Sequence, residues 1–204
     1  MCIRDRADSA DCLVLGPGAG RSDETRKLVR SLAASLEQPL LIDADGLNAL
    51  GTDLDLLRVP DRPVILTPHA GELGRLLGCE SAEIEAARLE SAQRAARAAG
   101  AIVVLKGADS IVTDGDRVAV NALASPALAT AGTGDVLSGT IAALIARGLD
   151  PFEAACAGVY AHARAGAVAA RRVGVVESVI ATDVIEALPT GLRVEGLEGE
   201  ADRA

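Results

Sequence analysis

The chain has 204 residues, enough for one sizeable domain with a real core. Half of them are apolar, yet there is one Phe, one Tyr and no Trp, so that core must be aliphatic. A formal charge of −9 excludes a general nucleic-acid binder, which needs a basic surface, but it leaves room for a small anion in a local pocket.

In chain order, "DCLVLGPGAG" predicts a buried strand from Cys12 to Leu15 that runs into a glycine turn. "SDETRKLVRSLAASLEQP" predicts a helix with Ser22 as N-cap and acids in its first turn, ended by Pro39. "LLID" is the next strand. Val64–Thr67 is another, followed by a turn and a short helix closed by Gly78. Ser81 to Ala99 predicts one long alanine-rich helix with Gly100 at C′. "AIVVLK" is a further apolar strand, and "SIVTDGDRVAV" is a hairpin with Asp-Gly in its turn. Two helices follow, about Asp135–Ala146 and Pro151–Arg172, the second capped by Asp150 with Pro151 at N1. "ATDVIEALP" predicts a last helix capped by Thr182. Apolar strands alternating with helices predict an α/β fold: a mostly parallel sheet covered by helices on both faces, with the hairpin near one edge.

The four cysteines have neither zinc nor disulfide-framework spacing, and free thiols in a reducing cytoplasm are the expectation. No apolar run approaches the ~20 residues of a membrane helix, and the opening "MCIRDR" lacks the apolar stretch of a secretory signal.

In open α/β sheets, ligands bind at the carboxyl ends of strands. There the chain places Gly16 to Gly20, Asp43 to Asn48, Thr67 to Glu72, and Lys106-Gly107. Each has a plain structural alternative. "GPGAG" can be a tight turn, lacking both dinucleotide and Walker spacing. Asp45 is equally a cap for "GLNAL" or a ligand contact, His69 a turn histidine, Glu72 a first-turn acid, and Lys106 a strand-end lysine that snorkels. His162 falls inside a helical pattern and reads as structural. Past Gly132-Thr133-Gly134-Asp135, the apolar residues Val136, Leu137, Ile141, Leu144 and Ile145 recur at helical spacing. This turn therefore opens a buried helix, and its free N–H groups form an anion site that glycines let a phosphate approach. A carboxylate there repels a bound phosphate. It makes sense as a base that takes the proton of an attacking hydroxyl, rather than only as a complement to the helix dipole.

At these residues the chain resembles the ADP-dependent NAD(P)H-hydrate dehydratases, ribokinase-like proteins that repair hydrated nicotinamide cofactors. The resemblance is carried by "GPGAG", "DADGLNAL", "LTPHAGELGRLLG", "VVLKGADSIV" and "ATAGTGDVLSGTIAALIARGLDPFEAACAGVYAHARAG", in that order. "GTGD" is shared by the wider superfamily, and the other motifs are more specific. Ala19 and Ala70 stand where the family usually has leucine and proline. The resemblance implies a ribokinase-like domain over residues 7–189 without the family's first strand–helix units, with 1–6 as a foreign leader and 190–204 as a flexible tail.

It further implies dehydration of the hydrates of NADH and NADPH (NADHX and NADPHX), with ADP giving AMP and phosphate. Asp135 would be the catalytic base. Lys106, Gly107, Ala108, Asp109, Ser110, Gly132, Thr133 and Gly134 would bind the nucleotide. Gly18, His69 and Asp135 would touch the hydrate, with Asp45, Asn48 and Glu72 in second rank. Mg2+ is implied without a direct protein cage, together with a cytoplasmic homo-oligomer, a homotetramer by the resemblance, and neither nucleic acid nor membrane as partner. A vitamin-precursor kinase of the same fold and a non-catalytic nucleotide-binding fragment are the alternatives.

Overall fold

The computed structural model describes residues 6–123 and 125–193. The expectations for residues 1–5 and 194–204 lie outside them. One sheet has the strand order β1 (Leu13–Leu15), β2 (Leu40–Ile42), β3 (Val64–Leu66), β4 (Ile102–Leu105), β5 (Ser110–Thr113), β6 (Val118–Asn121). β1 to β4 are parallel, and β5 and β6 close one edge as an antiparallel hairpin. All residues of β2, β3 and β4 are buried, as expected for strands covered on both faces.

Spatial order equals chain order, so each parallel crossover steps the same way, and right-handed connections place their helices on one face. These helices are α1 (Asp23–Ser35), α2 (Asp45–Leu50), α3 (Ala70–Leu77), α4 (Ser81–Ala86) and α5 (Arg88–Ala99). Their apolar residues Leu32, Leu47, Leu73, Ile84 and Ala95 pack with Leu40, Ile42, Leu66 and Val103 of the sheet. The opposite face carries Leu41, Ile65 and Val104. It is covered by α6 (Thr133–Ala146) and α7 (Pro151–Val173), through Leu137, Ile141 and Val159. α8 (Ala181–Gly191) packs on α7 through Val184 and Ala187.

The caps at Ser22 and Asp150 form as predicted: Ser22 Oγ accepts from Thr25 N–H, and Asp150 Oδ1 accepts from the Phe152 and Glu153 amides. Four expectations are corrected. The strand expected to be buried from Cys12 to Leu15 is β1, Leu13–Leu15, which ends the sheet's strand order and leaves Val14 exposed. The long helix over Ser81–Ala99 is two helices, broken at Ala87 (φ −141°). The break turns Arg88 away from the buried stripe of Ile84 and Ala92 toward the carbonyls of Lys106 and Asp109. The last helix begins at Ala181, so Thr182 lies inside it; the Asp183 carboxylate instead accepts the Ile180 N–H at its start. That helix also runs through Pro189 to Gly191, where the proline costs only one late N–H bond and Gly191 lies against the Ala161 carbonyl.

Candidate active site

The parallel ladder continues one step past β3 and β4, pairing His69 with Lys106, while Lys106 N–H donates to Pro68 O at 2.8 Å. His69 is the N-cap of α3. Its Nδ1 accepts from the Gly71 and Glu72 amides (3.0 and 3.3 Å), which puts the ring proton on Nε2, 3.4 Å from Glu72 Oε1. Glu72 is buried, and its Oε2 accepts the His69 N–H at 2.9 Å. Both the turn role of His69 and the first-turn role of Glu72 therefore hold, and Glu72 Oε2 also stands 3.8 Å from Lys106 Nζ.

Lys106 does not snorkel into solvent. Its Nζ donates to Asp43 Oδ1 at 2.9 Å and stands 3.8 Å from Glu72 Oε2. Asp43, at the end of β2, is only 1 % exposed. Its Oδ1 also accepts from Ala44 N–H at 2.9 Å, and its Oδ2 accepts from Ser138 Oγ at 2.8 Å. Thr67 Oγ1 lies 3.4 Å from the same Ser138 hydroxyl. A charged group this deep in the protein requires such partners.

Above the ammonium stands the N-terminus of α6. Gly132 takes φ +88°, the left-handed backbone that the turn needs. Thr133 N–H bonds Thr130 O and Asp135 N–H bonds Gly132 O. Among the described residues, Gly134 N–H is thus the amide of this turn not spent on a backbone bond outside the helix. The Thr133 hydroxyl is committed to the carbonyls of Leu128 and Thr130 (2.7 and 2.8 Å), so it anchors the turn. A Cβ on Gly134 would lie 3.5 Å from Lys106 Nζ and 3.7 Å from Asp43 Oδ2. The Lys106 ammonium and the Gly134 amide at the helix N-terminus therefore meet at this point.

A cavity of about 620 Å³ opens here, lined by His69, Lys106, Gly107, Ala108, Ser110, Thr133, Gly134 and His162. Asp109 points elsewhere, its carboxylate 3.6 Å from Arg88 Nε. Arg88 grips this loop from below through the carbonyls of Lys106 (3.4 Å) and Asp109 (3.0 Å). A Cβ on Gly107 would lie 2.3 Å from the Arg88 guanidinium, so the glycine leaves room for this grip. Asp135 is exposed on the other side of the turn. With Gly132 it heads an apolar groove of about 630 Å³ between α6 and α8, floored by Val136, Leu144, Ile185 and Leu188. The Asp135 carboxylate and the Lys106 ammonium thus flank the same helix end from two sides.

Gly18, Asp45 and Asn48 line neither space. Gly18 is in the exposed loop after β1. Asp45 does not cap α2, because Ala44 (φ +51°) holds that position. Its carboxylate instead accepts from Gly20 N–H (3.0 Å) and Arg21 Nε (2.8 Å), and Arg21 holds it below the usual carboxylate range. Asn48 accepts from Arg75 Nε at 2.8 Å. Of the "GPGAG" glycines only Gly16 serves close packing, since a Cβ there would stand 2.0 Å from Asp43 O; Gly18 (φ +68°) and Gly20 (φ +83°) face open space and supply the left-handed backbone of the turn.

Sequence reasoning placed Asp43 on the rim without a role, passed over Ser138 and Arg88, and assigned His162 a structural place. Asp43 directly follows an apolar strand, a signal that was available; Ser138 and Arg88 carried none. His162 is buried in α7 at the cavity wall, and its Nε2 lacks a hydrogen-bond partner. Burial pushes its pKa down to about 4, opposed by a hydrogen bond to the Thr133 backbone and aided by the Lys106 charge, so the ring is neutral at neutral pH. Among the described residues, no cluster of three or more His, Cys, Asp or Glu side chains could hold a metal ion. The described cysteines Cys12, Cys79 and Cys156 are free thiols, and no described helix is long and apolar enough to cross a membrane.

Residues 2–190 match the NAD(P)H-hydrate dehydratase family. The bifunctional NAD(P)H-hydrate repair enzyme of Moorella thermoacetica is 43% identical over 201 residues, covering 98% of this chain and 37% of the relative. The Escherichia coli enzyme of the same name is 41% identical over 187 residues, covering 91% and 35%. The chain thus spans little more than a third of these relatives. Among solved structures, the ADP/ATP-dependent NAD(P)H-hydrate dehydratase of Bacillus subtilis, co-crystallized with ATP/Mg2+, superposes with TM-score 0.77 at 28% identity, covering 91% of this chain and 67% of the other. A ribokinase-like superfamily protein from Enterococcus faecalis gives the same score over 92% and 64%.

Proposed function

The chain belongs to the NAD(P)H-hydrate dehydratase family, and from that premise we propose that it removes water from hydrated NADH and NADPH at the expense of ADP. The observation that carries this reading is the end of α6, with the Lys106 ammonium beneath Gly134 on the cavity side and the Asp135 carboxylate on the other.

The ADP phosphates lie against Gly134 N–H and Lys106, and the loop Lys106–Ser110 holds the rest of the nucleotide. Asp135 takes the proton of the substrate hydroxyl. The hydroxyl oxygen then attacks the terminal phosphorus, the P–O bond to AMP breaks, and AMP leaves with that electron pair. The amides at the helix end and Lys106 stabilise the charge on the transferring group. In the second step the ring C–O bond breaks as phosphate leaves with that electron pair, and the adjacent carbon gives up a proton to the departing phosphate or to water, its C–H pair forming the double bond. Phosphate leaves where hydroxide would not. His69 faces the hydrate in this reading, while Gly18, Asp45 and Asn48, which line neither space, act only by shaping the rim.

The donor set fits magnesium as an ion carried by nucleotide phosphate and water. Lys106 already neutralises Asp43, and Glu72, 3.8 Å from Lys106 Nζ, would take part only through water. When bound, the ion supplies charge screening for the phosphates. A cytoplasmic homo-oligomer is the setting we propose.

The test is to incubate the chain with hydrated NADH, ADP and Mg2+. Recovery of NADH absorbance with matching AMP and phosphate is expected. A phosphorylated alcohol as the end product would make the chain a kinase, and no product with folded protein would leave it a binding fragment.

A further inference from the structure

The Asp43 carboxylate lies within one side-chain atom of the helix end where an anion is to bind. A Cβ on Gly134 would be 3.7 Å from its Oδ2. By charge alone Asp43 is harmful there, because it repels a phosphate. Its contacts point the other way. It is 1 % exposed, and its two oxygens take three hydrogen bonds, from Lys106 Nζ, Ala44 N–H and Ser138 Oγ. Two of these come from the elements that meet at that point: Lys106 lines the cavity, and the buried Ser138 belongs to the helix whose N-terminus opens on it. Lys106 lies at the end of β4, and Ser138 lies one turn into α6, four residues past Gly134. Asp43 thus ties the cation and the amide donors together across sequence separations of 63 and 95 residues.

We propose that Asp43 is a positioning residue for nucleotide binding: it fixes the Lys106 ammonium and, through Ser138, the first turns of α6 in the geometry that grips a diphosphate before the nucleotide arrives. The proposal rests on the nucleotide reading of this site. It explains why a buried acid stands beside an anion site, since the ammonium costs less to hold in place when its partner is fixed on both oxygens. Glu72, 3.8 Å from Nζ on the other side, limits how far Lys106 can swing.

The charge argument and the positioning argument predict opposite signs for Asp43→Asn. Removing a negative charge near phosphate tightens ADP binding if Asp43 is merely a neighbour. Losing the anchor weakens it, by about tenfold, if Asp43 positions Lys106. Lys106 can be observed directly, because the chain has only one other lysine, Lys27, which is exposed. In nitrogen-15 NMR of lysine ammonium groups, the free wild-type protein is expected to show a Lys106 signal slowed in exchange by its ion pair. Asp43→Asn should lose that signal without changing that of Lys27.

Calorimetric titration with ADP is run on wild type, Asp43→Asn and Ser138→Ala. Ser138→Ala removes one anchor without touching charge, and it should weaken ADP binding about threefold. It carries the test should Asp43→Asn fail to fold. Equal or tighter ADP binding in a folded Asp43→Asn variant, or in Ser138→Ala, overturns the proposal while wild-type binding leaves the nucleotide reading standing. Wild-type protein that binds no ADP overturns that reading and the phosphate role of Asp43 with it, and a protected Lys106 signal then marks the pair as structural only.

Discussion

Replacing Gly134 separates space from backbone conformation at the end of α6. Gly134 has ordinary helical geometry; the left-handed residue is Gly132, at φ +88°. A Cβ at 134 would lie 3.5 Å from Lys106 Nζ, which is normal contact. Gly134→Ala should therefore fold, gain up to about 1 kcal/mol from helix propensity, and lose little ADP affinity. Valine adds two methyl groups about 1.5 Å beyond Cβ, which brings them inside contact distance of the ammonium or the Asp43 carboxylate. Lys106 must then leave Asp43, giving up a charge-assisted hydrogen bond worth about 1.5–3 kcal/mol. The methyl groups also stand where phosphate would meet the turn. ADP affinity should fall about 10- to 100-fold in Gly134→Val, with the melting temperature lowered by about 3–12 °C. Titration calorimetry and thermal unfolding read the two quantities. A folded Gly134→Val that binds ADP as well as wild type would show that phosphate does not sit on this turn.

Asp135→Asn should lower turnover about 10²- to 10⁴-fold while ADP binding stays equal or becomes tighter, since a base is lost and a repelling charge removed; near-normal NADH recovery by this variant would end its assignment as base. Gly107→Ala drives a Cβ to within 2.3 Å of the Arg88 guanidinium, so Arg88 must release the Lys106–Asp109 loop. Because Arg88 is flexible, the melting temperature should change little and ADP affinity should drop a few-fold, and unchanged affinity would remove Arg88 from the site. His162 is held neutral with its pKa lowered from 6.5 to about 4, so the unfolded chain binds the extra proton between those values. Stability from this group is complete above pH 6.5 and is lost as pH falls toward 4, on the order of 3 kcal/mol in all. Urea unfolding of His162→Asn at pH 7 and pH 5 should show a smaller decline than wild type; equal declines would refute the assignment.

The fold was legible because β2, β3 and β4 are continuous apolar runs between helical patterns, and Ser22, Asp150 and the Asp-Gly hairpin carry local signals that tertiary contacts do not override. The break at Ala87 was not legible, since alanine favours an unbroken helix; the break serves Arg88, whose partners lie on a loop about 20 residues away. The rim was readable as a set of strand ends. Its inner order was not. Asp43 and Asp45 are equally acidic and two residues apart, and only the turn at Ala44 decides that one faces Lys106 and the other Arg21. Ser138 looked like one more small residue on a helix, and its partner is 95 residues distant. The family motifs reached Asp135 and Lys106, but spacing along the chain carries no sign that they approach the α6 turn from opposite sides.

The sequential strand order also bears on how the chain is made. As it leaves the ribosome, each of β2, β3 and β4 can pair with the strand before it once its crossover helix has formed, so the sheet can grow without waiting for distant segments. One face is covered during that growth. The other, with Leu41, Ile65, Ile102 and Val104, stays bare until α6 and α7 emerge from the last third of the chain. Asp43 meanwhile waits for both Lys106 and Ser138. The half-made protein thus exposes a flat aliphatic surface with an unpaired acid at its rim. That interval is when it is most open to aggregation and most in need of a chaperone, and the same late contacts that end it assemble the site.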